Sequence, residues 1–93
     1  MIKVLINISV IIVNWNTKNY LKKCLLSIYN NKNGIQIEVI VVDNASKDGS
    51  PEMVKEQLLE VKLIINKENF GFSKANNIGI KNSKGKYLCL INS

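Results

Sequence analysis

A chain of 93 residues that is 46% hydrophobic and 22% charged allows one globular domain and excludes a disordered one. Its formal charge of +6 rests entirely on lysine, spread along the whole chain; with no arginine for bidentate recognition of bases or phosphates, it reads as a solvated surface and not a nucleic-acid footprint. The absence of histidine excludes Ser-His-Asp and Cys-His chemistry and conventional zinc sites.

The chain opens on an apolar stretch, Val4 to Val13, interrupted by Asn7 and Ser9. It falls short of the roughly 18 residues a membrane span needs, and it lacks a small-residue cleavage site, so neither a span nor a secretory signal is expected. Residues Ile2 to Ile6 read either as an extension of the first strand or as a lead-in to it. Within the stretch, Ile8 to Val13 is a β-branched run of the kind found in strands buried on both faces. The polar break Asn14–Trp15–Asn16–Thr17 follows, with Asn16 or Thr17 placed to cap a helix. Tyr20, Leu21, Cys24, Leu25 and Ile28 then recur at helical spacing, with Lys18, Lys22 and Lys23 on the other face. Residues 30–34 make a turn.

A second strand is predicted over Ile37 to Val42, and the loop 43–50 after it is rich in turn formers. A second helix opens with Ser50 as cap, Pro51 at its first position and Glu52 in its first turn; Met53, Val54, Leu58 and Leu59 form its apolar stripe. A third strand is expected over Val61 to Asn66 and a third helix from about Ser73 to Lys81, where Ala75, Ile78 and Gly79 permit close packing. The fourth strand runs from Lys86 to Ile91. Strictly alternating strands and helices with short connections predict a parallel sheet with helices on both faces. Cys24 and Cys89, each among apolar neighbours, read as buried free thiols of a reducing compartment. Trp15 and Phe72 read as packing residues.

The unusual polar residues gather after strands: Asn14 and Asn16, then Asp43, Asn44 and Ser46, then Asn69, then Asn92. A ligand crevice at the carboxyl edge of such a sheet requires this clustering. Asp43, roughly thirty residues beyond the first strand, is placed to accept hydrogen bonds from a nucleoside, as in dinucleotide-binding folds. The first turn carries no glycine, so neither a Gly-rich pyrophosphate cradle nor a Walker loop is available, and NAD or ATP in their familiar modes are disfavoured.

Four segments closely resemble family 2 glycosyltransferases, the inverting enzymes of GT-A fold. These are Ser9–Val10–Ile11–Ile12–Val13–Asn14–Trp15–Asn16, the strand and loop from Val39 to Ser50, the stretch from Asn69 to Gly79, and Tyr87 to Ser93. The third is similar to the glycine-and-asparagine helix entry of the rhamnosyltransferase-like branch. The resemblance implies a Rossmann-like three-layer α/β/α fold with a four-stranded parallel sheet in the order 3-2-1-4, the nucleotide-binding half of a GT-A domain.

It also implies roles. Val13, Asn14 and Asn16 line a pocket for base and ribose, and Asp43 and Asn44 hold the base edge. Asn69, Gly71 and Asn77 shape the loop that passes the diphosphate, Gly71 by letting the backbone come close. Asn92 stands at the first acid of the family's Asp-x-Asp pair and Ser93 at its middle residue. The second acid would follow, so Mg²⁺ or Mn²⁺ is expected in a complete enzyme, with Asn92 ligating through its amide oxygen. Many relatives carry an acid where this chain has Asn44.

Residues 1–93 are thus expected to be the amino-terminal nucleotide-sugar-binding part of a transferase, truncated before the metal-binding acid and inactive alone. The expected donor is a UDP- or dTDP-sugar, the acceptor a glycan or lipid-linked hydroxyl, with no nucleic acid as partner. The expected location is the cytoplasm, up to the inner face of the membrane. The alternative is a non-catalytic nucleotide- or protein-binding α/β module. A nucleotidyltransferase would want a Gly-rich basic loop after the first strand, which Asn14–Trp15–Asn16–Thr17 does not supply.

Overall fold

The computed structural model describes residues 5–58 and 60–92. Its elements are β1 (Ile8–Asn14), α1 (Lys18–Asn30), β2 (Ile37–Asp43), α2 (Ser50–Gln57), β3 (Lys62–Ile65), α3 (Phe72–Lys81) and β4 (Tyr87–Asn92). The strands form one parallel sheet in the order β3-β2-β1-β4. This is the expected Rossmann-like three-layer fold. The expected lead-in from Ile2 to Val4, Leu59 of the second stripe, and Ser93 lie outside the described residues.

Alternation along the two central strands builds both layers, because successive side chains point to opposite faces. Val10 and Ile12 of β1 with Val39 and Val41 of β2 face Leu21 and Leu25 of α1 and Met53 and Val54 of α2. Ile11, Val13, Ile40 and Val42 face the other way, onto Ala75 of α3. Each fully buried aliphatic side chain of this kind stabilises the fold by about 1.5–3 kcal/mol. α3 lies unusually near the sheet. A Cβ built on Gly79 would stand 2.5 Å from Ile11 Cγ2 and 3.3 Å from Val42 Cγ2.

The layers are incomplete over β4. Tyr87, Leu88, Cys89 and Leu90 are all exposed, because the described helices leave most of this edge strand uncovered. Cys89 is therefore an exposed thiol and Cys24 a partly buried one, where two buried thiols were expected. Tyr20, expected in the buried stripe of α1, is also exposed, since the stripe narrows to Leu21 and Leu25. Trp15 and Phe72 do not pack in the core; Trp15 is 53% exposed at a loop tip, and Phe72 is exposed at the start of α3.

One carboxylate, Asp48, serves both helix starts, that of α1 from a distant loop and that of α2 from two residues upstream. Thr17 is the N-cap residue of α1 but makes no side-chain cap hydrogen bond. Instead the first amide of the helix, Lys18 N–H, donates to Asp48 Oδ2 at 2.9 Å. In α2 the cap position is Gly49, and Ser50 is the first helical residue, its N–H donating to Asp48 Oδ1 at 3.0 Å. One carboxylate thus satisfies otherwise orphaned amides at the starts of two helices. Partial burial pulls the Asp48 carboxyl up, but the hydrogen bonds donated by Ser50 and Lys18 outweigh this and hold it below its ordinary value.

Candidate functional site

All three strand-to-helix loops open on the carboxyl edge of the sheet, and hydrogen bonds join them into one body. Asn14 and Asp43 end β1 and β2 side by side in register, and both are fully buried. Burying a carboxylate is unfavourable unless it is well hydrogen-bonded. Asp43 Oδ1 accepts from Asn14 Nδ2 at 2.9 Å and from the Ser46 hydroxyl at 2.7 Å, and Oδ2 accepts from Ser46 N–H at 2.8 Å. The Ser46 oxygen accepts in turn from Asn16 N–H at 2.8 Å. Asn16, in the left-handed region at φ 53, accepts from Lys47 N–H at 2.8 Å through Oδ1. These contacts also hold Ala45 at φ 64, a conformation that costs a non-glycine residue roughly 1 kcal/mol or more.

The third loop is attached through Asn44, which is 2% exposed. Its Oδ1 accepts from Asn66 Nδ2 at 2.9 Å and from Phe70 N–H at 3.4 Å, and its Nδ2 donates to the Gly71 carbonyl at 3.3 Å. Asn69 Oδ1 accepts from Gly71 N–H at 2.9 Å, closing a tight turn before α3. Gly71 sits at φ 83 and ψ 171, a conformation essentially reserved for glycine. A Cβ on it would meet nothing within 4 Å, so within the chain the requirement for glycine is conformational and not one of crowding.

Between the three loops lies an open cleft of about 440 Å³. Trp15 and Asn16 line it from the first loop, Asn44 and Lys47 from the second, and Lys67, Glu68 and Asn69 from the third. Of the residues expected in the site, Asn16, Asn44 and Asn69 therefore reach the cleft. Asn14 and Asp43 form the buried girder beneath it, and Val13 packs in the core against the α3 side. Asn77 is exposed on α3 and takes no part in the hydrogen-bonded network; its neighbour Asn76 is the buried one, with an Oδ1 that has no partner among the described residues. One supporting residue, Asn66, escaped the reading of the sequence as a site residue, while Ser46 was grouped with the strand-end polar residues but given no role. The signal for Asn66 was the one used for Asp43, a polar side chain ending an apolar strand.

A second concavity, of about 330 Å³, lies at the opposite edge of the sheet beside Tyr29, Leu58 and Glu60. Burial and the Glu60 carboxylate push the Tyr29 phenol up to about 12. Among the described residues no cluster of polar groups converges on it comparable to that at the three loops.

The expected metal position fares differently. Asn92 ends β4, exposed, and pairs with Val13 in the sheet register. Among the described residues no group of three or more His, Cys, Asp or Glu side chains could hold a metal ion. One neutral amide oxygen does not fit the several-oxygen shell of Mg²⁺ or the carboxylates it prefers. The residues present do not by themselves make a metal site.

The sequence profile of glycosyl transferase family 2 matches residues 9–93. The chain belongs to glycosyl transferase family 2. Among curated relatives, glycosyltransferase GlyA of Streptococcus pneumoniae is 41% identical over 90 residues, covering 92% of this chain and 12% of its own length. The putative glycosyltransferase EpsH of Bacillus subtilis is 31% identical over 88 residues, covering 92% of this chain and 25% of its own. This family 2 chain therefore spans an eighth to a quarter of these relatives. Among solved structures, TarS 1–349 of S. aureus in complex with UDP superimposes with a TM-score of 0.83 at 26% identity, covering 95% of this chain and 27% of TarS 1–349. The mannosyltransferase PcManGT of Pyrobaculum calidifontis, in complex with GDP-Man and Mn²⁺, gives a TM-score of 0.77 at 25% identity, covering 96% and 28%.

Proposed function

We propose that these 93 residues are the donor-nucleotide half of an inverting glycosyltransferase that moves a sugar from a UDP- or dTDP-sugar to a hydroxyl of a glycan or lipid-linked acceptor. The observation that carries the reading is the hydrogen-bonded union of three strand-end loops around one cleft, in a chain of this family. Structural relatives bind UDP, UDP-GlcNAc and GDP-Man, which supports a nucleotide sugar as ligand.

In this reading Asn16, Asn44 and Asn69 contact the nucleoside, while Val13, Asn14 and Asp43 hold them in place from beneath. Lys47 and Lys67 offset diphosphate charge, Gly71 gives the third loop its turn, and Asn77 and Asn92 border the path of the sugar. The acceptor base and any metal ligands besides Asn92 belong to further chain, and no step is assigned to a metal here. The work of this segment is to bind and orient, which is a large part of the barrier in a displacement reaction. No described helix is long and apolar enough to cross a membrane, and we place the activity on the cytoplasmic side.

The test is an amide-detected NMR titration of the 93-residue chain with UDP and dTDP, beside a transfer assay with UDP-sugar and Mn²⁺. Shifts confined to the three loops, with affinity in the millimolar range and no turnover, are expected. No perturbation at saturating nucleotide removes the binding reading, and robust transfer by this chain removes the claim that it is inactive alone.

A further inference from the structure

The concavity at the other edge of the sheet has a chemical sense of its own. It lies where α1 and α2 end: Tyr29 belongs to the last turn of α1, Gln57 is the last residue of α2, and Leu58 and Glu60 follow. The last carbonyls of a helix carry partial negative charge, and α1 has no basic residue in its last turn to offset it. The side chains add acceptors and a π face. Gln57 offers an amide oxygen, Glu60 a carboxylate, Tyr29 a ring and a phenol oxygen, and Leu58 an apolar wall. The phenol, pushed up to about 12 by burial and Glu60, stays neutral at physiological pH and adds no charge of its own.

The chain itself shows which chemistry suits this place. Lys32, in the connection from α1 to β2, brings its ammonium 5.2 Å from the centroid of the Tyr29 ring and 4.0 Å from Glu60 Oε2. Both distances stand near the outer limits of such contacts, about 6 Å and about 4 Å. The side chains of Lys32 and Glu60 are 36% and 76% exposed, so water competes for the pair and holds it loosely. A weakly held ammonium thus rests at a hollow of about 330 Å³, near the lower end of the range for small-molecule sites.

We infer that this hollow is a binding site for a small primary amine with a short apolar stem, and that Lys32 is its built-in competitor. The incoming ammonium takes the place between the Tyr29 ring and the Glu60 carboxylate. Gln57 Oε1 accepts a further N–H, and the stem lies along Leu58. A neutral alcohol of the same shape keeps the stem contact but loses the attraction of ring and carboxylate. Anions are repelled by Glu60 and by the helix ends. Displacing Lys32 meets little resistance, because its ammonium returns to water on a flexible stem. The hollow lies across the sheet from the three loops, so its occupant is a second ligand and not the nucleotide sugar.

The experiment is an NMR titration of the 93-residue chain with n-butylammonium chloride, with n-butanol as the neutral control and sodium chloride holding the ionic strength constant. Lys32→Ala and Glu60→Gln are titrated beside the parent; both side chains reach solvent, so neither change threatens the fold. Saturable shifts at Tyr29, Leu58 and Glu60 are expected with the amine and not with the alcohol. Lys32→Ala should tighten binding about threefold and Glu60→Gln should weaken it by about the same factor, the size of an exposed cation–π or ion-pair contact. A merely structural role for Lys32 would not make its removal tighten binding. Equal shifts with n-butanol overturn the inference, because the hollow then takes any apolar stem. Affinity unchanged or weakened in Lys32→Ala, or no saturation in that variant, overturns it as well. Nucleotide binding is read at the residues of the three loops, so the two readings fail separately.

Discussion

Replacing Gly79 with alanine tests whether α3 is held against the sheet by the absence of one methyl group. The new Cβ would stand 2.5 Å from Ile11 Cγ2, 3.3 Å from Val42 Cγ2 and 3.4 Å from Ile11 Cγ1. Ile11 and Val42 are fully buried, so neither side chain can swing aside into solvent. Overpacking of this severity costs about 3 kcal/mol, the upper end of the usual range. Alanine returns about 1 kcal/mol of helix propensity, leaving a net destabilisation of about 2 kcal/mol. At about 2.1 cal/mol/K of unfolding entropy per residue, 93 residues give about 0.2 kcal/mol/K, so Tm should fall by about 10 °C. Urea denaturation followed by circular dichroism measures the loss. Ile11→Ala alone should cost about 2–5 kcal/mol by opening a cavity. The double variant should lose less than the sum, because the alanine methyl then occupies vacated space. A Gly79→Ala protein as stable as the parent, or strict additivity in the double variant, would refute the close-approach argument.

Asp48→Ala should destabilise the fold by about 0.5–2 kcal/mol, the usual range for a lost helix cap, although this residue caps α1 from another loop. Because the folded Asp48 carboxyl titrates below its ordinary value, its contribution is present above the unfolded carboxylate range and lost as pH falls through the folded value. The acid limb of a stability profile should therefore shift in Asp48→Asn. Tyr29, pushed up to about 12 by burial and Glu60, contributes the opposite dependence: full stability below its unfolded value near 10, lost as pH rises through about 12. An ultraviolet titration of the phenol should show that late ionisation, and Glu60→Gln should move it down. Burial, with Cys89 as the smaller cause, raises the Cys24 thiol, while Cys89 is exposed. A disulfide reagent at neutral pH should therefore modify Cys89 first and the partly buried Cys24 more slowly, and equal rates would contradict the burial assigned to Cys24.

The central strands were legible because their β-branched runs, Ile8 to Val13 and Ile37 to Val42, admit few other readings. The run Tyr87 to Ile91, apolar but with Ile91 as its one β-branched residue, also identified a strand but misjudged its surroundings. Burial of Cys89 depends on what lies over β4, and nothing in the local sequence specifies that. The caps failed for a related reason. Thr17 carries a correct local signal, yet the acceptor that reaches the start of α1 is Asp48, about a strand and a helix away along the chain, whereas for α2 the same carboxylate is a local partner two residues before Ser50. Local propensity cannot register a tertiary competitor. In α3, adjacent Asn76 and Asn77 differ by a rotation of about 100° around the helix axis, and the weak periodicity there gave no means of deciding which one turned inward.

The polar cluster itself was legible as residue types, but its chemical sense was not. An asparagine read from sequence offers a donor and an acceptor equally, and Asp43 reads as an acceptor waiting for a ligand. Only the loop geometry shows that Lys47, Phe70 and Gly71 amides claim the asparagine oxygens, and that Asn14 and Ser46 claim the carboxylate. The acid that seemed made for the nucleoside is thereby turned into the girder that aligns the loops, and the asparagines around it are what lines the cleft. The negative charge is thereby kept beneath the cleft instead of in it.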